Sequence, residues 1–177
     1  MPYLYRTGGD LDLLLSDDSV AVVRKWLVEN PLPIYVDLNG VSSGYYPLRL
    51  ALKIIQSAVE GPCGSKIPGP EEAFFSFIYH ALYHKGLLSG IPTSDRTSQV
   101  NQFPSNNYAC IIQRMSDDLG IPITLNMECL DDFLHEQGWG PGYGNFARNA
   151  IRNEWVRQRF LADQPIIEVG LGVLILK

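Results

Sequence analysis

Asp10 and Asp12 stand one residue apart in RTGGDLDLLLSD (6–17), just ahead of a run of leucines. An apolar run that follows a Gly-Gly pair reads as a β-strand. On a strand, residues i and i+2 leave the same face. Two like charges so placed repel each other unless a cation lies between them. A hard ion such as Mg²⁺ takes oxygen ligands, commonly one or two protein carboxylates together with substrate phosphates. A third carboxylate, Asp37, falls late in the apolar stretch IYVDLNG (34–40). A charge among apolar neighbours is expensive unless it is paired or metal-bound. If the two stretches are neighbouring strands, Asp10, Asp12 and Asp37 converge at one sheet end. That is the arrangement of a two-metal phosphoryl-transfer site. Plainer readings compete with it. Asp-x-Asp also suits a solvent-facing strand start, and Asp37 also suits a turn closed with Asn39 and Gly40.

The elements that must position these groups can be read from periodicity. LDLLL (11–15) is a strand. SDDSVAVVRKWLVEN (16–30) opens on capping residues and shows helical spacing through Val20, Val23 and Leu27. PLPIYVDLNG (31–40) is a proline-bounded strand that ends in an Asn-Gly turn. YYPLRLALKIIQSAVE (45–60) reads as helix from about Pro47. Residues 61–70 form a loop with room for a short strand. PEEAFFSFIYHALYHKG (70–86) is one buried helix, opened by proline and glutamates and closed by Gly86. The polar, breaker-rich stretch 90–108 is a loop or linker. Helices follow at YACIIQRMSDDLG (108–120) and LNMECLDDFLHEQGW (125–139), the latter with Cys129, Phe133 and Leu134 on its apolar side. After a glycine-rich turn, NFARNAIRNEWVRQRF (145–160) reads as one basic helix, and IIEVGLGVLILK (166–177) as a strand or hairpin. The expected fold class is α/β (α+β): a small mixed β-sheet flanked by helices, with a C-terminal helical part and a terminal strand. The expected organisation is a core over 1–89, a polar loop or linker over 90–108, and a helical part over 109–177 packed on the core.

Composition bounds the possibilities. Of the 177 residues, 46% are hydrophobic and 19% charged, which describes a globular chain rather than a disordered one. No apolar run is long enough to span a membrane. No basic, apolar leader opens the sequence. Cys63, Cys110 and Cys129 are odd in number and widely spaced, which fits neither a disulfide framework nor a metal knuckle. The expectation is therefore a cytoplasmic protein with no membrane partner. A net charge of −5 argues against general nucleic-acid binding. Charge is uneven, with four aspartates in residues 10–18 and Arg148, Arg152, Arg157 and Arg159 near the end. Separate acidic and basic loci suit a metal-bound phosphate ligand, although solvated helix faces also account for them.

Other groups could do chemistry. His80 and His84 are four residues apart on one helix and so share a face. That spacing can bind zinc, but Ala81 stands where a metalloprotease has glutamate, and no third ligand is evident. His80, His84 or Lys85 could instead face a cleft and contact phosphate or sugar. The Gly138–Gly144 turn could cradle phosphate ahead of a helix, though most such turns are only turns. Tyr45 and Tyr46 could stack on a base. Arg6 could hold a triphosphate or simply neutralise Asp10 or Asp12.

RTGGDLDLLL followed by IYVDL resembles the nucleotidyltransferase superfamily with the DNA polymerase beta-like fold. That family carries Asp-h-Asp on one strand and a third Asp on a later one. The closest similarity is to uncharacterised bacterial nucleotidyltransferase-like proteins, which also continue with a proline-acid helix carrying histidine, here PGPEEAFFSFIYHALYHKG. They share a later Gly-Trp element before an Asn/Arg-rich helix, here EQGWGPGYGNFARNAIRNEW. The resemblance implies a Mg²⁺-dependent enzyme, with one or two ions, that transfers a nucleoside monophosphate from an NTP to an unknown small-molecule or protein acceptor. Asp10, Asp12 and Asp37 would then hold the metal and carry catalysis, with Asp37 also acting on the acceptor hydroxyl. Arg6, Gly8, Gly9, His84 and Lys85 would contact nucleotide or phosphate. In that superfamily a glycine turn lies further upstream of Asp-h-Asp, whereas Gly8-Gly9 abut Asp10 directly. Two alternatives follow: a catalytically degenerate domain that binds a nucleotide or protein partner, and a metal-dependent phosphoesterase.

Overall fold

The computed structural model describes residues 10–94, 108–163, 166–169 and 172–175. The chain forms two compact units, Met1–Ala73 and Phe74–Lys177.

The first unit is built on a strand–helix–strand. β1 (Asp10–Leu15) pairs in parallel with β2 (Tyr35–Gly40), and α1 (Asp17–Glu29) provides the crossover. Asp17 and Asp18 occupy the first turn of α1, where the helix dipole favours negative charge. Asn30 closes the helix, its backbone N–H and its side-chain amide both donating to the Trp26 carbonyl, at 2.8 and 3.0 Å. Pro31 and Pro33 then stop the helix from resuming. Val20, Val23 and Leu27 are half-buried, but no residue of α1 is fully buried. The Asp17 carboxylate accepts from the Ser42 N–H at 3.0 Å, fastening the start of α1 to the 3-10 turn Val41–Ser43 that follows β2. A side chain at Gly40 would collide with that carboxylate, its Cβ 2.5 Å from Oδ1.

α2 (Leu48–Gln56) buries Leu50, Ala51 and Ile54, at the i, i+1, i+4 spacing of one helical face. A short antiparallel hairpin follows, β3 (Val59–Glu60) with β4 (Lys66–Ile67). Lys53 Nζ lies 3.7 Å from Oε1 of the largely buried Glu72. Among the described residues, the strands do not join into the expected small mixed sheet. The described strands make separate two-stranded pairs: parallel β1–β2, antiparallel β3–β4 and antiparallel β5 (Ile166–Val169) with β6 (Gly172–Ile175). The chemistry behind this is local, because β3, β4, β5 and β6 are each closed by near neighbours in sequence and make hairpins.

α3 (Pro70–Tyr79) leads from the first unit into the second. The helix expected over 70–86 changes character at His80. Residues His80–Lys85 form a π-helical turn, and Gly86–Ser89 a 3-10 turn. The rest of the second unit is mainly helical: α4 (Tyr108–Leu119), α5 (Met127–Glu136), α6 (Tyr143–Arg152) and α7 (Glu154–Asp163). Phe74, Ile78, Leu82, Ile112, Leu130 and Leu134 are completely buried.

Two readings of this unit are corrected. The basic stretch 145–160 is two helices, not one, interrupted at Asn153. The Asn153 carboxamide accepts from the Val156 N–H at 3.2 Å and donates to the Leu82 carbonyl at 2.7 Å. It starts a new helix while bonding the π-helical turn, and a continuous helix could not use it that way. Cys129 is exposed rather than on the apolar side of α5. Met127, Leu130 and Leu134 are the buried apolar residues there, and Asp131 is buried with them.

Candidate functional site

The β1–β2 register decides how the predicted carboxylates meet. Asp12 is the register partner of Asp37, and Asp10 of Tyr35. Partners on parallel strands share a face of the sheet, so Asp12 and Asp37 stand side by side, with residue 10 two positions upstream on β1. The pair sits at the third of the six ladder steps, between the Asp10–Tyr35 start and the Leu15–Gly40 end. Asp12 is exposed and Asp37 half-buried. None of the described ion pairs involves Asp37. A directly opposed acidic pair is destabilising by itself, and a cation converts the repulsion into attraction.

Carboxylate oxygens near solvent are donors of the kind a hard cation takes. Among the described residues, no group of three or more His, Cys, Asp or Glu is arranged to hold a metal. Arg6, Gly8 and Gly9 lie outside the described residues. His84 and Lys85 occupy the last positions of the π-helical turn in the second unit, both half-buried. The His84 ring lies 5.3 Å from that of His80 and 5.8 Å from that of Tyr79. Tyr45 and Tyr46 contact each other edge to face, with ring centres 4.8 Å apart.

The second unit holds an ionisable cluster that the reading of motifs missed. Asp131 is only 2% exposed. Its Oδ1 accepts the Tyr83 hydroxyl, and its Oδ2 accepts Arg159 Nε at 2.9 Å. His135, one turn along α5, has Nδ1 at 2.8 Å from the Asp131 carbonyl and 3.2 Å from its Oδ1. Arg159 also donates through Nη2 to Asp132 at 2.9 Å. Burial pushes the Asp131 carboxyl up, but the hydrogen bonds from His135 and Tyr83 and the nearby positive charges outweigh it, so the group lies below its ordinary 3.8. The hydrogen bond to Asp131 raises His135 above its ordinary 6.5, against a smaller opposing effect of burial. Burial, followed by the Asp131 charge, drives the Tyr83 phenol well above 10.0. The sequence did contain a signal: Asp131 falls on the Met127–Leu130–Leu134 face of α5, four residues before His135.

Glu128 makes a smaller clamp at the other end of α5. It accepts from the Ser94 N–H and hydroxyl at 3.0 and 3.1 Å, and from Trp155 Nε1 at 3.4 Å. The Asn126 side chain caps the same helix end, accepting from the N–H groups of Glu128 and Cys129. These contacts are structural in kind, since every polar atom in them is answered by another within the unit.

No family model, curated protein or solved structure matches this chain. No described helix is long and apolar enough to cross a membrane.

Proposed function

We propose that the first unit carries the metal site of a Mg²⁺-dependent nucleotidyltransferase, which transfers a nucleoside monophosphate from an NTP to an acceptor hydroxyl or phosphate. The observation that supports this most is the Asp12–Asp37 register across two parallel strands. A resemblance drawn from Asp-h-Asp and a later Asp requires that juxtaposition, and an arbitrary pair of acidic strands has no reason to adopt it. Asp12 and Asp37 would share an ion, with Asp10 contributing from the start of β1. The ion would neutralise the phosphate charge that builds up during transfer, and Asp37 would accept the acceptor's proton. Catalysis of this kind is mostly positioning and charge neutralisation, so few protein groups are needed.

The test is the thermal stability of the full chain with each NTP, with and without Mg²⁺. A ligand that binds only the folded state raises stability by mass action, by about 2.7 kcal/mol at a hundredfold excess over Kd. The expected result is a shift that requires both NTP and Mg²⁺ and disappears in Asp12→Ala. If no NTP gives a shift, or the shift persists in Asp12→Ala, the reading is wrong.

A further inference from the structure

α2 has a second apolar stripe besides the one it buries. Leu50, Ala51 and Ile54 fill the core, while Leu48, Leu52 and Ile55 are exposed. At i, i+4 and i+7 the three exposed residues form one ridge along the helix. Val59 continues the spacing at i+11, in β3, and its register partner across the hairpin is Ile67. Both are exposed, and register partners share a face of the hairpin. A Cβ at Gly61 would lie 2.9 Å from Ile67 Cγ2, so the glycine leaves the room that the Ile67 side chain takes.

Steps of four and three residues are the spacing of a seam between two helices. The charges beside the ridge select the partner. α2 carries Arg49 and Lys53 and no acidic residue. The two cations are one turn apart and exposed. Arg49 stands in the first turn of the helix, where the dipole disfavours a positive charge, and none of the described ion pairs involves it. Local helix energetics therefore do not account for it. A second copy of α2 would set the same cations against these, so the charges oppose self-pairing. α1 is different, because its exposed Val22 and Trp26 share their side of the helix with both Lys25 and Glu29, and that surface has no single sign. We propose that the α2 ridge docks an acidic amphipathic helix of a partner protein, with its apolar face on Leu48, Leu52 and Ile55 and its carboxylates beside Arg49 and Lys53. Lys53 already approaches Glu72 at 3.7 Å, so Arg49 is the main electrostatic contact. Asp12 and Asp37 take no part in this surface.

The probe is a fluorescent, helix-forming peptide with leucines at coiled-coil spacing and glutamates on either side of them. It is titrated into the full chain and followed by anisotropy, beside a control peptide with lysine in place of every glutamate. The glutamate peptide should bind, more weakly as salt rises, and the lysine peptide should not. Leu52→Ser should weaken binding by about tenfold or more. Arg49→Glu should weaken it by about as much at low salt and by less at high salt. Val22→Ser, on α1, should leave it unchanged. All three positions are exposed, so each variant should keep the wild-type circular dichroism. No binding of the glutamate peptide, equal binding of the two peptides, or binding that survives Leu52→Ser overturns the proposal. So does a wild-type dimer, seen by sedimentation equilibrium, that Leu52→Ser splits, because the ridge would then belong to a second copy.

Discussion

Asp37 and Asp131 lie one in each unit of the molecule, both on elements rich in apolar residues, and their charges are handled in opposite ways. Asp131 is buried, and its carboxylate is met by Tyr83, His135 and Arg159. Asp37 is half-buried, and its register partner across the ladder is another carboxylate, Asp12. The first arrangement ties α5 to α7 and to the π-helical turn, and it stabilises the fold as it stands. The second sets two carboxylates at one step of the ladder, an arrangement that a cation would favour. The carboxylate satisfied inside the fold is structural, and the one set against a second carboxylate is the ligand proposed for a cation.

That contrast predicts opposite responses to substitution. Asp131→Ala should lower unfolding free energy by about 3–5 kcal/mol, because it leaves Arg159 and Tyr83 without their shared acceptor. Chemical denaturation measures this, and a loss below about 1 kcal/mol would mean the cluster is not a structural hub. Gly86→Ala should cost about 3 kcal/mol, since the residue needs both a left-handed φ and an empty Cβ position beside Asn153. Asn153→Ala should cost about 2 kcal/mol by removing the start of α7 and the bond to the Leu82 carbonyl. Its unfolding should be cooperative with that of Gly86→Ala, and the double mutant should lose less than the sum, because the two residues touch. Asp37→Asn stands at the other extreme. It should leave stability within about 0.5 kcal/mol of wild type, or raise it slightly, because it relieves a like-charge pair.

Stability against pH sharpens the same comparison. His135 has a raised folded pKa, so its contribution is fully present below its ordinary 6.5 and is lost as pH rises through the folded value. Asp131 has a lowered folded pKa, so its contribution is present above its ordinary 3.8 and is lost as pH falls through the folded value. The cluster should therefore be most stabilising between those limits. His135→Gln should flatten the alkaline side of the profile only modestly, because the ring is half exposed and solvent screens its charge. A profile unchanged in that variant would remove His135 from the cluster's energetics.

Much of the first unit was legible in sequence, because its signals are local. Ser16 and Asp17 announced α1, the two prolines bounded β2, and the i, i+2 spacing put Asp10 and Asp12 on one face of β1. What the sequence could not supply was the register, which follows from strand pairing. The second unit was harder, for physical reasons tied to particular residues. Asn153 is an ordinary helix-interior residue until the Leu82 carbonyl comes near, so the break between α6 and α7 depends on a bond spanning 71 positions. The π-helical turn at His80 leaves the hydrophobic pattern of 70–86 intact and alters only the backbone's pitch. Cys129 lay within the apparent apolar stripe, but the buried face is set by Met127, Leu130 and Leu134, with the charge of Asp131 masked by partners from two other elements.

The account's central claim is that Asp12 and Asp37 form a cation site that admits a nucleotide. Mn²⁺ takes the same oxygen ligands as Mg²⁺ and is visible by electron paramagnetic resonance. Titrating it into wild type and Asp37→Asn, with and without NTP, tests the claim most directly. The prediction is that wild type binds Mn²⁺ and holds it more tightly with NTP present, while Asp37→Asn keeps its full stability but loses that binding. Equal Mn²⁺ binding by the two proteins, or wild-type binding that NTP leaves unchanged, would contradict it.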